Sequence, residues 1–175
     1  TSRILLLASI FPLLFSVFVY PNFAVNSYYG NLRNYQGLWG LNYLHNNFRD
    51  NFEAIQWLNK NVTGQPTILE AVGDSYTEYN QISMATGLPT VEGWLVHEWL
   101  WRGSFDEPGK RASEVQTIYE TQDFATAQLY LQKYQVKYVI IGNHEREKYQ
   151  VSEQKFLKLG KIIFQSGTTI IFQID

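Results

Sequence analysis

Hydrophobic residues follow two different patterns along the chain. The seventeen residues from Ile4 to Tyr20 carry no charged side chain, whereas apolar positions after residue 48 recur at helix or strand spacing. A helix of seventeen residues covers roughly 25 Å, near the lower limit for crossing a bilayer core of about 30 Å. The first pattern therefore indicates a membrane helix, and the second indicates a globular domain.

Three interpretations of the apolar segment stay open: the last transmembrane helix of a longer protein, a secretory signal peptide, or a buried core helix. A signal peptide begins with Met and ends in small residues, whereas this sequence starts at Thr1 and offers only Phe-Ala-Val-Asn around Ala24. Arg3 is the only basic residue before Arg33, so the positive-inside bias places the amino end in the cytoplasm. We expect a transmembrane helix at residues 1–21 of a cell membrane protein, with the globular domain extracytoplasmic.

The remaining sequence divides into an irregular connector at 22–47, rich in Asn, Tyr and Gly, and a domain at 48–175. Within the domain, helical and strand patterns alternate. Helices are predicted at 48–61, 79–86, 111–121, 123–134 and 144–159, strands at 67–72, 90–94, 136–142, 161–165 and 168–174, and a loop at 105–110. This alternation predicts a single α/β sandwich domain with a mixed sheet of about four to six strands.

Composition excludes several classes of function. The net charge is −2 and the 14 Lys and Arg residues form no run, so nucleic acid is not an expected partner. The absence of cysteine removes disulfides, thiolate metal sites and thiol catalysis. No Gly-x-Ser-x-Gly, Walker, dinucleotide-binding or His-Glu-x-x-His motif occurs. Aromatic residues reach 16%, which suits a carbohydrate or lipid-headgroup surface, or a domain lying against a membrane.

Residues 88–103 concentrate the side chains that carry chemistry. They contain three of the five tryptophans with a histidine, two glutamates and an arginine. Ligands in α/β sheets bind beyond the carboxyl ends of strands, where the predicted strands place this segment and two other polar segments. We therefore expect a cleft that also includes Asp74 and His144. Its candidate substrate-binding residues are Glu70, Ser75, Tyr76, Trp94, His97, Glu98, Trp101, Arg102, Glu145 and Arg146.

The side chains of this predicted cleft suit three roles. Arg102 suits a phosphate or carboxylate while Trp101 stacks on a sugar or prenyl group. His97 with Glu98 and Glu70 suits a divalent cation or acid–base chemistry. In a structural alternative, Glu70 pairs with Arg102 or His97 and holds the Trp-rich segment in place. The pattern assigns no catalytic residue, and no cofactor or metal is expected in this chain.

Short motifs between Phe52 and Phe156 carry a resemblance to a known family. They are Trp57-Leu58, Ile68-Leu69-Glu70-Ala71, Ser75-Tyr76, Ile82-Ser83, Thr86-Gly87-Leu88-Pro89-Thr90, Gly93-Trp94, His97-Glu98, Trp101-Arg102-Gly103, Ile118-Tyr119, Tyr138-Val139 and Glu145-Arg146 with Tyr149. Together they resemble the carboxyl-terminal region of the YYY family, which comprises large multi-pass membrane proteins of bacteria and archaea related to C-type glycosyltransferases. Gln81 and Glu92 depart from the family pattern, which has Arg and an apolar residue there.

The resemblance implies an accessory extracytoplasmic domain of a membrane glycosyltransferase that uses a polyprenyl-phosphate sugar, with an acceptor or lipid-phosphate pocket. Its implied partners are the lipid bilayer, that sugar or a glycan acceptor, and the remaining membrane helices of the parent chain. The catalytic residues would lie outside this chain, which alone is expected to be inactive. The alternative is a noncatalytic structural or protein-interaction module. A third function, a secreted hydrolase with a metal at His97, Glu98 and His144, is also open.

Overall fold

The computed structural model describes residues 2–33, 35 and 37–175. Thr1, Asn34 and Gln36 belong to the predicted span and connector and lie outside the described residues. The chain forms two compact units, Thr1–Asn42 and Tyr43–Asp175.

The first unit consists mainly of one long apolar helix. Helix α1 (Ser2–Tyr29) continues past Pro21, where the sequence predicts the end of the span, and a 3₁₀ turn follows at Gly30–Leu32. Asn22 Nδ2 donates a hydrogen bond to the Phe18 carbonyl at 2.9 Å, so a side chain provides a donor beside the proline. The stretch Leu6–Leu32 contains an 18-residue window with a mean hydropathy of 1.8 and is long and apolar enough to cross a membrane.

The second unit is an α/β domain. Its four strands form one mixed sheet in the order β1-β2-β4-β3, in which β1 and β2 are parallel and β4 is antiparallel to both neighbours. This topology confirms the predicted fold class. The elements are α2 (Asn42–Asn47), α3 (Arg49–Asn61), β1 (Thr67–Leu69), α4 (Gln81–Thr86), α5 (Leu95–Arg102), α6 (Asp106–Glu120), α7 (Phe124–Lys133), β2 (Val136–Ile141), α8 (Asn143–Lys148), α9 (Phe156–Leu159), β3 (Gly160–Ser166) and β4 (Thr169–Ile174).

The central strand β2 separates two layers of apolar side chains. Val139 and Ile141 belong to the core cluster that includes Ile118 of α6 and Leu131 of α7. Ile140 is buried but lies outside that cluster, because successive side chains of a strand point to opposite faces. Helices α6 and α7 thus pack with Val139 and Ile141 of β2, and helix α3 packs against β3 and β4.

Three predicted elements are wrong. Residues 105–110 are not a loop, because α6 begins at Asp106 and Pro108 is tolerated in the first helical turn, where its missing N–H has no partner to lose. The helix predicted at 144–159 ends at Lys148 and resumes only as a 3₁₀ turn and the short α9. Residues 90–94 form only isolated bridges, at Thr90 and Trp94, instead of a strand.

Candidate functional site

The segment that leaves β1, residues 70–76, runs beside the segment that leads into the Trp-rich helix α5. Gly73 pairs with Trp94 in a parallel bridge, and the Leu95 amide donates to the Gly73 carbonyl at 2.9 Å. A Cβ at Gly73 would collide with Tyr79 and Thr77, so only glycine fits this approach. The pairing delivers the amino terminus of α5 to the carboxyl end of β1.

Three rings meet at this point, and we call Tyr76, Trp94 and His97 the aromatic platform. The His97 ring lies 5.1 Å from the Tyr76 ring and 5.3 Å from the Trp94 ring, and the Tyr76 and Trp94 rings are 5.7 Å apart. Trp94 Nε1 donates to the Tyr79 carbonyl at 3.2 Å, which fixes the indole. The platform unites three residues of the predicted cleft.

Tyr76 combines an exposed ring with an unfavourable backbone. Its side chain stands on the surface, because the residue is 85% exposed, and its φ of 63° is in the left-handed region. A bulky residue in that region is uncommon, and such strain concentrates at ligand-binding segments. The surrounding contacts therefore hold an aromatic ring toward solvent at a local conformational cost.

The face of α5 continues beyond the platform. Trp94, His97 and Trp101 follow the spacing i, i+3, i+7, which places them along one side of the helix. Trp101 is 87% exposed, and Arg102 Nε donates to Glu98 Oε2 at 2.9 Å. Trp101 and the Glu98–Arg102 pair therefore lie on the surface of α5, one turn beyond the platform.

Glu70 lies in the interior and not in an open cleft. Its carboxylate accepts hydrogen bonds from the Ile82 and Ser83 amides, both at 3.2 Å, so it caps the amino terminus of α4. Burial raises the pKa of Glu70 to about 7, against the hydrogen bonds from Ser83. The predicted structural pairing of Glu70 with Arg102 or His97 is wrong, because the partners of its carboxylate are two backbone amides and the side-chain amide of Asn80.

Glu145 is the second buried carboxylate of the predicted cleft. It accepts hydrogen bonds from the Ala71 and Gly142 amides, both at 2.8 Å, and so joins the segments that follow β1 and β2. Burial raises the pKa of Glu145, and these two amides oppose the shift. Glu145 therefore fixes the positions of two strand ends relative to each other.

Residues at the end of α8 bond the segment that follows β1, at Val72. The Tyr149 hydroxyl accepts from the Val72 amide at 3.3 Å, while Lys148 donates to the Val72 carbonyl. Tyr149 also stacks on Tyr119 at 5.0 Å, and the Lys148 ammonium lies 5.0 Å from the Tyr79 ring. Burial lowers the pKa of Lys148. These contacts explain why the predicted helix ends at Lys148.

Two further candidate residues are Arg146 and Ser75. Arg146 Nε donates to Glu153 at 2.8 Å and its guanidinium also bonds the Thr168 carbonyl, so it faces the β3–β4 turn. Ser75 Oγ is buried without a hydrogen-bond partner. The structure thus brings together only part of the predicted set.

Sequence reasoning missed a polar cavity of about 240 Å³ near the carboxyl end of β2. His144 Nε2 is buried there without a hydrogen-bond partner, and its ring lies 4.9 Å from Tyr79 and 5.5 Å from Phe48. Asp50, in the first turn of α3, belongs to the lining. The cavity is lined by Asn47, Phe48, Arg49, Asp50, Asn51, Asn143, His144 and Thr169.

The described residues contain no group of three or more His, Asp or Glu side chains placed to hold a metal ion. His97 contacts Tyr76 and Trp94, whereas His144 contacts Tyr79 and Phe48. The predicted metal set of His97, Glu98 and His144 is therefore not assembled.

No protein-family model matches the chain, and no curated protein matches it. Among solved structures, the chain is similar to the C-terminal globular domain of an oligosaccharyltransferase from Archaeoglobus fulgidus, with 15% sequence identity and a TM-score of 0.46. The similarity covers 71% of this chain and 95% of that chain. Membership of the YYY family stays a prediction from the motifs.

Proposed function

We propose that the domain is a membrane-anchored, extracytoplasmic accessory module of a glycosyltransferase and that the aromatic platform binds the sugar of a polyprenyl-phosphate sugar or of a glycan acceptor. The observation that carries the proposal is the strained, exposed Tyr76 ring, held against Trp94 and His97. A sugar presents apolar C–H faces to such rings and hydroxyls to neighbouring polar groups. The chain supplies binding in this account, and catalysis belongs to other parts of the enzyme.

The rest of α5 provides a place for the lipid phosphate. Arg102 is bonded to one carboxylate, Glu98, at a half-exposed position where an ion pair contributes little stability. A phosphate can therefore replace Glu98 as the partner of the guanidinium, which binds phosphate bidentately. Trp101 lies within one helical turn of Glu98 and Arg102. In this account its indole covers the first prenyl unit of the lipid.

The experiment is a binding titration of the full chain in detergent micelles with a short-chain polyprenyl-phosphate sugar, the matching polyprenyl phosphate and the free sugar. We expect Tyr76→Ala and Trp94→Ala to weaken binding of both sugar ligands at least tenfold, and Arg102→Ala to weaken only the two phosphates. Phe124→Ala, which truncates a half-exposed ring on α7, is the matched control. Equal affinity of wild type and the platform variants would reject the proposal.

A noncatalytic interaction module is the second candidate function. The observation that favours it is a cluster of exposed apolar side chains at Trp99, Leu100 and Phe105, with no buried residue in α5. Exposed patches of this kind mark interaction sites. If this function is correct, the triple variant Trp99→Ser, Leu100→Ser, Phe105→Ser loses association with its membrane partner, whereas Tyr76→Ala keeps it.

A further inference from the structure

Glu92 is buried in a way that none of the site's other carboxylates is. The residue is 2% exposed, and neither carboxylate oxygen has a hydrogen-bond partner or contact with solvent. Glu70 and Glu145, by contrast, each accept two backbone hydrogen bonds. A carboxylate that lacks both water and donors is strongly disfavoured in its charged form. This geometry suits a neutral acid.

The charged groups that surround Glu92 come from α5 and α6. From α5 they are Glu98 and Arg102, and from α6 they are Glu107 and Arg111. Both cations already have acidic partners: Arg102 bonds Glu98 at 2.9 Å and Arg111 bonds Glu107 at 2.9 Å. Ionised Glu92 would therefore meet two paired arginines and two like charges, and would need water.

Water can reach Glu92 if α5 moves, and α5 is weakly held. None of its residues is buried, Leu95 at its start packs against the core cluster while partly exposed, and Gly103, at a φ of 74°, follows its last residue. Elements with few buried contacts open at low free energy. The Glu98 carboxylate lies directly over Gly93, 3.4 Å from the position of a Cβ there, so the helix covers the segment that contains Glu92.

We propose that Glu92 is a protonation switch for α5: the neutral acid is buried beneath the helix, and the ionised acid displaces the helix from the end of the sheet. Burial raises the pKa of Glu92 to about 7, chiefly by desolvation and then by Glu98, so the change falls near neutral pH. Because α5 carries His97, and Trp94 is the residue that precedes the helix, displacement of α5 takes the aromatic platform apart. The switch is independent of which ligand the platform binds.

The absence of cysteine allows a direct test by site-directed spin labelling. The double variant Leu100→Cys, Leu129→Cys reports the distance from α5 to α7, in the full chain in detergent micelles. The matched pair Leu129→Cys, Leu157→Cys omits α5; the three leucines are similarly exposed, at 66%, 62% and 59%. Pulsed electron paramagnetic resonance then gives both distance distributions between about pH 5.5 and about pH 8.5.

We expect the α5–α7 distribution to be narrow at the acid end and longer or broader at the alkaline end, with a midpoint near pH 7. The matched pair keeps one distribution throughout. Glu92→Gln and Glu92→Met, added separately, each preserve the acid distribution at every pH. The Met variant is included because Gln introduces a buried amide NH₂ that could itself perturb folding, whereas Met introduces no hydrogen-bond donor. An unchanged α5–α7 distance, a change shared by both pairs, or a transition that persists in both Glu92 variants would overturn the proposal.

Discussion

Glu145 Oε1 accepts a hydrogen bond from the Ala71 amide at 2.8 Å, across 74 positions of sequence. The other oxygen of the carboxylate accepts from the Gly142 amide. One side chain thus satisfies one amide beyond each of two parallel strands and joins the segments that follow them. The path of the β1 exit, and with it the position of Tyr76, depends on this contact.

Replacing Glu145 by Gln is expected to destabilise the domain by roughly 1–3 kcal/mol, because the amide NH₂ faces a backbone donor that then lacks an acceptor. Glu147→Gln, on the same helix but with a side chain 69% exposed, is expected to change the free energy of unfolding by less than about 0.5 kcal/mol. Urea unfolding of the full chain in micelles, followed by near-ultraviolet circular dichroism, measures both. Equal stability of the two variants would show that the carboxylate does not join the strands.

Glu70 makes the free energy of unfolding depend on pH in the opposite sense to a carboxylate whose pKa is lowered on folding. Its pKa rises from 4.5 to about 7 on folding, chiefly through burial, so the folded state binds the proton more tightly than the unfolded state. Stability contributed by the neutral acid is present below about pH 4.5 and is lost as the pH rises toward 7, by at most roughly 3 kcal/mol.

The measurement for Glu70 is the free energy of unfolding between about pH 4.5 and pH 8. The Glu70→Gln variant is expected to show a smaller decline with pH than wild type, and the double variant with Glu92→Gln a smaller one still, since burial raises the pKa of both acids. A Glu70→Gln profile parallel to that of wild type would mean that Glu70 does not titrate in this interval.

The left-handed backbone of Tyr76 predicts an inverted order of stability for two truncations. Both Tyr76→Gly and Tyr76→Ala remove the ring, but only glycine adopts a φ of 63° without a steric penalty. We expect the glycine variant to be more stable than the alanine variant by roughly 1 kcal/mol, the reverse of the order found in helices and strands. Thermal or urea unfolding of the pair tests this order.

The sequence pattern located the elements whose signals are local. The strand Val136–Ile141, the paired strands β3 and β4, and the helix α7 all follow from nearby residues. The Asp123 carboxylate, which accepts from the Ala125 and Thr126 amides, is a local signal for the start of α7. The end of α8 does not, because it depends on contacts of Tyr149 with Val72 and Tyr119. Long-range contacts of this kind leave no periodic signal.

The candidate site divides in the same way. Tyr76, Trp94 and His97 were predicted from their residue types and from their positions after strands, and the structure places their rings in contact. Glu70 and Glu145 have those same features, yet their partners are backbone amides that no pattern identifies. Residue type therefore singled out three side chains whose rings are in contact, and their role in binding stays a prediction. It gave no sign of which carboxylates were interior.

The most direct test of the platform uses the three histidines of the chain, His45, His97 and His144, as reporters. The 175-residue chain with isotope-labelled histidine is titrated in micelles with the short-chain polyprenyl-phosphate sugar, and the ring resonances are followed by nuclear magnetic resonance. We predict a saturable shift of His97, the ring in contact with Tyr76 and Trp94, that Tyr76→Ala abolishes, with little change at His45 and His144. A saturable shift of His144 alone would place the ligand in the other cavity, and no shift of any histidine at saturating ligand would contradict the account.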